Sequence, residues 1–214
     1  MLAKLNAVLK AALARITMVP VLTIDRLDDA VALGRALIDG GLTALEITLR
    51  TPVALKAIES MARELPHAMI GAGTILTPQH ARSAIDAGAR FLVSPGITPN
   101  LIVAAQDWKV PYLPGVATVS EAMALADIGL SFVKFFPAEP AGGAAFLKSI
   151  GAPVPDMSFC PTGGIGPGNV RDYLSLPNVV CVGGSWVAPT AAVAAKDWAT
   201  ITRLAREAAR LRHK

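Results

Sequence analysis

Eight short runs of apolar and β-branched residues recur along the chain at intervals of 20 to 26 residues, and nothing else in it constrains the fold as tightly. They read VPVLTI (19–24), ALEITLR (44–50), MIGAGTI (69–75), FLVSPG (91–96), PYLPGV (111–116), FVKFFP (132–137), SFCPTGG (158–164) and VVCVGGSW (179–186). That interval holds one strand, one helix and two short loops. The repeating unit is therefore a βα unit, and its regular recurrence predicts a parallel sheet.

Helix signals fill the gaps. Asp28 is expected to open DDAVALGRALIDGG, which closes on Gly40 and Gly41, and Thr51-Pro52 to open PVALKAIESMAREL. Thr77-Pro78 and Thr98-Pro99 repeat the pattern, and Thr118 with Glu121 forms a capping box. Eight such units in 214 residues, with no linker between them, predict one domain over residues 1–214: a single (β/α)8 TIM barrel with little decoration. The rival is an open doubly wound sheet. No GxGxxG follows the first strand, and polar residues gather at the ends of many strands instead of one switch point. Aromatics at 5% also argue against an all-β sandwich.

The first nineteen residues are apolar and basic, but Lys4, Lys10 and Arg15 interrupt the run. They read as an amphipathic helix capping the barrel. The basic stretch Arg203, Arg206, Arg210, Arg212 and Lys214 alternates with Leu204, Ala205, Ala208 and Leu211 at helical spacing. It reads as a solvated helix face, so nucleic acid is not an expected partner. No run of about 18 uninterrupted apolar residues exists, and no membrane partner is expected. Cys160 and Cys181 lie in apolar runs and read as buried thiols. With His67, His80 and His213 scattered, no metal-ligand spacing is present and none is expected.

Strand alternation picks out the chemistry. In ALEITLR, Glu46, Thr48 and Arg50 share one face while Leu45, Ile47 and Leu49 share the other. The aliphatic set belongs against the helices, so the polar set points into the barrel, where an unpartnered charge is costly. A Glu46–Arg50 salt bridge of purely architectural use is one reading. A functional site is the better one, since buried ion pairs seldom improve stability.

In FVKFFP the same alternation places Phe132, Lys134 and Phe136 together. A lysine snorkelling from an edge strand is the bland account, but a closed barrel has no edge. Burial of an amine among phenylalanines disfavours its charged form, and the neutral amine can attack a carbonyl to form an imine. Lys134 is thus the candidate nucleophile, Glu46 the proton shuttle and Arg50 a clamp for a substrate carboxylate. The glycine-bearing ends Thr162-Gly163-Gly164-Ile165-Gly166 and Gly183-Gly184-Ser185 suggest a phosphate site after the seventh and eighth strands. Taken alone the glycines would be better explained by packing or tight turns; their position after the last two strands favours phosphate. Thr74, on the face of Ala72, is read as inward. SPG (94–96) and LPG (113–115) shape the mouth or touch substrate.

With those residues placed, the chain resembles the 2-keto-3-deoxy-6-phosphogluconate (KDPG) aldolases, which also act on 4-hydroxy-2-oxoglutarate. The resemblance is carried by LEITLRT around Glu46 and Arg50, GAGTIL around Thr74, SPG, FVKFFPAE around Lys134, FCPTGGI and GGSW, in that order. It implies a metal-independent class I aldolase without a separate cofactor, a homotrimer of the cytoplasm, working on the Entner–Doudoroff route. It implies Lys134 as the Schiff-base residue and Glu46 as general acid/base, with Arg50 and Thr74 near the pyruvyl carboxylate. Thr162, Gly163, Gly164, Gly184 and Ser185 would then hold the hydroxyl and phosphate end of a phosphorylated keto acid, with Pro95 and Phe136 lining the pocket. Specificity for the galactonate epimer, and a non-aldolase isomerase or synthase barrel, remain as alternatives.

Overall fold

The computed structural model of the chain describes residues 1–211; Arg212, His213 and Lys214 lie outside the described residues. Eight strand positions form around a common axis. They are β1 (Met18–Leu22), β2 (Ala44–Thr48), β3 (Met69–Gly73), β4 (Leu92–Val93), the divided fifth strand β5 (Tyr112–Leu113) and β6 (Gly115–Val116), β7 (Phe132–Phe135), β8 (Ser158–Pro161) and β9 (Val182–Gly184). All pairings are parallel, in the orders β5-β4-β3-β2-β1-β9 and β6-β7-β8. Bridges Phe159↔Val179 and Thr162↔Gly183 join the two sheets on one side. The fifth strand joins them on the other, so the sheet closes into the expected barrel.

Pro114 explains the division of that strand. It has no N–H to give to the ladder, yet its carbonyl accepts from Lys134 N–H at 2.8 Å.

Helices α2 (Leu27–Asp39), α3 (Ala54–Glu64), α4 (Pro78–Asp86), α5 (Pro99–Ala105), α6 (Val119–Asp127), α7 (Gly143–Ile150) and α8 (Val170–Leu174) follow successive strands, and α9 (Thr190–Ala194) and α10 (Trp198–Ala209) end the described chain. Three expected caps form: Thr77 accepts from His80 N–H, Thr98 from Leu101 N–H, and Thr118 with Glu121 makes the capping box. Two expected starts do not. Arg26, not Asp28, is the N-cap of α2, which begins at Leu27, so Asp28 lies inside the first turn; beside it the buried Asp29 carboxylate meets the exposed cations of Arg26 (3.4 Å) and Lys196 (3.7 Å). Likewise α3 begins at Ala54, because the Thr51 hydroxyl donates to Ile24 O at 2.6 Å instead of capping. On α10, Arg203, Arg206 and Arg210 are exposed, as a solvated face requires.

Two apolar cores result. The outer one lies between strands and helices; the inner one fills the barrel with Val19, Ala44, Phe91, Val93, Leu113, Phe132, Cys160 and Cys181. The first helix, α1 (Leu2–Leu13), closes the inner core from below with Leu9 and Leu13, both fully buried. It is the capping helix expected from its sequence.

Asn6 on the same helix is also fully buried. Its amide donates to Tyr112 O (3.1 Å) and Phe132 O (2.7 Å), and its oxygen accepts from Ser131 N–H (3.3 Å) and Phe132 N–H (3.0 Å). These bonds span the seam between β5 and β7, where the two sheets meet without a ladder. Asn6→Ala orphans several buried backbone groups, each costing about 1 to 3 kcal/mol. A melting temperature lower by about 10 °C is expected by calorimetry; an unchanged value would show that the seam holds without the side chain.

Candidate active site

Lys134 sits midway along β7, 5% exposed, and its Nζ lies 3.2 Å from Glu46 Oε1. Glu46, 4% exposed, projects inward from β2. The alternation read from the two strands is thus what the backbone adopts. Val133 and Phe135 pack outward against the helices, while Phe132 lies in the inner core and the Phe136 ring stands 5.3 Å from Nζ. The amine is not isolated among phenylalanines, as expected from its neighbours in sequence. It forms a buried ion pair, the one arrangement that makes two charges tolerable there.

The partner of Glu46 is therefore Lys134 and not Arg50. Arg50 follows the end of β2 and is exposed at the mouth, where its Nε donates to the Thr74 hydroxyl at 3.0 Å. Thr74 reaches that point by a different route from the one expected. Its neighbour Ala72 packs outward in the helix-side core, so strict alternation from Ala72 would carry Thr74 away from the mouth. A left-handed backbone at Thr74, φ 61°, ends the alternation and turns the hydroxyl toward Arg50.

The inward positions of β3 are Gly71 and Gly73, and neither was singled out in the sequence. A Cβ on Gly73 would come within 2.7 Å of Glu46 Cγ and Cδ and overlap Oε1; one on Gly71 would overlap the Phe91 ring. Gly73 makes room for the carboxylate beside Lys134.

A cavity of about 220 Å³ opens above the pair. Its walls are Val21 of β1 and Thr23 just after it, Arg50, then Lys134 of β7 and Phe136 just after it. The loop Thr162–Ile165 and the end of β9, Gly184 and Ser185, complete it. The structure thus brings Arg50, Lys134, Phe136, Thr162, Gly163, Gly164, Gly184 and Ser185 around one space. Pro95 is not among the residues lining it. Its carbonyl region lies against Gly115, where a Cβ would collide with it, so SPG shapes the rim from behind. Val21, Thr23 and Ile165 line the space although sequence reading passed over them; the alternation of VPVLTI, with Val19 in the inner core, carries the signal for the first two. Gly183 is needed because the Thr162 side chain occupies the place of its Cβ. A larger cavity of about 800 Å³ lies on the outer wall by Ala144, Lys148 and Ser175, away from these groups.

A buried lysine paired with a carboxylate thus lies beneath a polar, glycine-rimmed mouth. The family model described as "Aldolase: KDPG and KHG aldolase" matches residues 9–204. The chain belongs to the KDPG and KHG aldolase family. It is 50% identical over 190 residues to the KHG/KDPG aldolase of Escherichia coli strain K12, covering 89% of each chain. It is 52% identical over 189 residues to the 2-dehydro-3-deoxy-phosphogluconate aldolase of Pseudomonas aeruginosa, covering 88% of this chain and 86% of the relative. The KDPG aldolase of Legionella pneumophila, solved with pyruvate captured as a covalent carbinolamine intermediate, superposes with a TM-score of 0.91 at 46% identity. That match covers 94% of this chain and 97% of that one.

Lys134 Nζ and Glu46 Oε1, 3.2 Å apart, are close enough to share a hydrogen bond. Among the described residues no group of three or more His, Cys, Asp or Glu is placed to hold a metal ion, and no helix is long and apolar enough to cross a membrane.

Proposed function

We propose that this chain is a class I aldolase that cleaves KDPG to pyruvate and glyceraldehyde 3-phosphate, and 4-hydroxy-2-oxoglutarate to pyruvate and glyoxylate. The observation that carries the reading is the buried Lys134–Glu46 pair, whose lysine lines the cavity. Lys134 Nζ adds to the C2 ketone, and Glu46 relays protons as the carbinolamine loses water. Glu46 then takes the C4 hydroxyl proton. The C3–C4 bond breaks into the protonated imine, the aldehyde leaves, and the enamine is protonated and hydrolysed to pyruvate.

Arg50, fixed by the Thr74 hydroxyl, offers its remaining N–H groups to the pyruvyl carboxylate. Thr162, Gly163, Gly164, Gly184 and Ser185 take the hydroxyl and phosphate end, with Phe136 packed against the chain of the substrate and Pro95 supporting the rim. The covalent pyruvate carbinolamine in the Legionella relative supports the same chemistry. Borohydride reduction in the presence of pyruvate is expected to add one reduced pyruvyl group to Lys134, read by peptide mass spectrometry. Modification elsewhere, or none, would remove the reading.

The working form proposed is a homotrimer in the cytoplasm, where phosphorylated sugar acids are retained by their charge. Exposed Leu76, Val103, Met123 and Ile128 supply apolar surface for such an assembly. A light-scattering mass of three chains is expected, and a monomer would overturn it.

A further inference from the structure

Behind the glycine loop at the mouth stands a hydrogen-bonded pair that the chemistry above does not use. After β7, Ala138 N–H donates to Thr162 O (2.8 Å) and Glu139 N–H to Gly163 O (3.0 Å), so this stretch runs alongside the loop. Gly164 has φ 77°, and a Cβ there would come within 2.6 Å of Glu139 Cγ. The stem of Glu139 therefore lies directly on the second glycine of the loop.

The Glu139 carboxylate accepts the phenolic O–H of Tyr173, a fully buried residue of α8. Burial, reinforced by the carboxylate beside it, pushes the Tyr173 phenol well above its ordinary value, so it remains a donor. On the far side Gly143, φ 64°, opens α7; a Cβ there would stand 3.3 Å from Glu139 Oε1 and 3.4 Å from the Tyr173 hydroxyl. The exit of β7, the start of α7, the glycine loop and α8 thus meet at one carboxylate. Glu139 does not line the Lys134 cavity.

We propose that Glu139 and Tyr173 are positioning residues: their hydrogen bond holds the Gly163 and Gly164 peptides in the orientation that binds phosphate, and so favours phosphorylated over unphosphorylated keto acids. The proposal rests on the aldolase reading above. It also has a sign. A carboxylate beside an anion site repels the anion, so Glu139 as a mere bystander would make its removal tighten phosphate binding. As a positioning group, its removal weakens binding.

Steady-state kinetics with KDPG and 4-hydroxy-2-oxoglutarate test this in Tyr173→Phe, Glu139→Ala and Glu139→Gln. In the first two, KM for KDPG is expected to rise about tenfold, the effect of losing one well-placed hydrogen bond, while KM for the unphosphorylated substrate and kcat for both stay near wild type. Glu139→Gln keeps both the acceptor and the stem against Gly164 and is expected to restore the wild-type ratio. Tyr173→Phe removes a single oxygen and carries the test if Glu139→Ala does not fold. An unchanged or lower KM for KDPG, or equal losses on both substrates, would overturn the proposal. A wild-type protein that neither traps pyruvate nor cleaves either keto acid would instead refute the aldolase reading.

Discussion

Lys134→Ala is expected to yield no pyruvyl adduct on borohydride reduction and to lower turnover of KDPG on the order of 10⁵-fold, the scale of loss when a covalent nucleophile is removed. The same change has a second consequence, because Lys134 is half of a buried pair. Left alone at 4% exposure, the Glu46 carboxylate loses its only charged partner among the described residues. Breaking such a pair costs about 3 to 5 kcal/mol, so the variant should also melt earlier. Lys134→Met combined with Glu46→Gln removes both charges at nearly constant volume and should recover the stability while remaining inactive. Calorimetry separates the two effects. A single variant that melts like wild type, or a double variant that melts no later than the single one, would argue that the pair is not buried as described.

Gly73→Ala is expected to lower kcat about 100-fold, the cost of displacing a reacting group by about 1 Å. The new Cβ falls on Glu46 Oε1, so the carboxylate must move off Lys134. Gly71→Ala, two residues earlier on the same strand, provides the contrast. Its Cβ falls on the Phe91 ring in the inner core, so its cost of about 1 to 3 kcal/mol should appear in stability, with kcat nearly retained. Measuring kcat and melting temperature for both tests the assignment directly. A Gly73→Ala enzyme with wild-type kcat would show that the carboxylate can act from elsewhere.

Alternation in two strands carried most of the candidate site. Glu46 and Lys134 were legible because β2 and β7 are regular over the residues concerned, and a period of two leaves no ambiguity about which side chains share a face. Thr74 was placed by the same rule and for the wrong reason. The rule ends where the strand ends, and φ 61° at Thr74 is invisible in a residue type that rarely adopts it. One misplaced helix start has a related cause: the Thr51 hydroxyl found a partner outside its own helix, at Ile24 O, and local sequence does not carry that information. Gly73 was legible in principle, since a glycine inside a strand marks a close approach by another group. What approaches it lies 27 residues earlier in the chain, at Glu46, and only the register of β2 against β3 brings the two together.

The helix that closes the barrel from below also has consequences in time. Leu9 and Leu13 leave the ribosome long before Phe132, Cys160 and Cys181 of the same core, and Asn6 waits for the backbone of Tyr112 and Phe132. At about 5 to 20 residues per second, the apolar face of α1 stays unpartnered by its native neighbours for on the order of ten seconds. The inner core is therefore complete only when α1 is joined by residues made well over a hundred positions later.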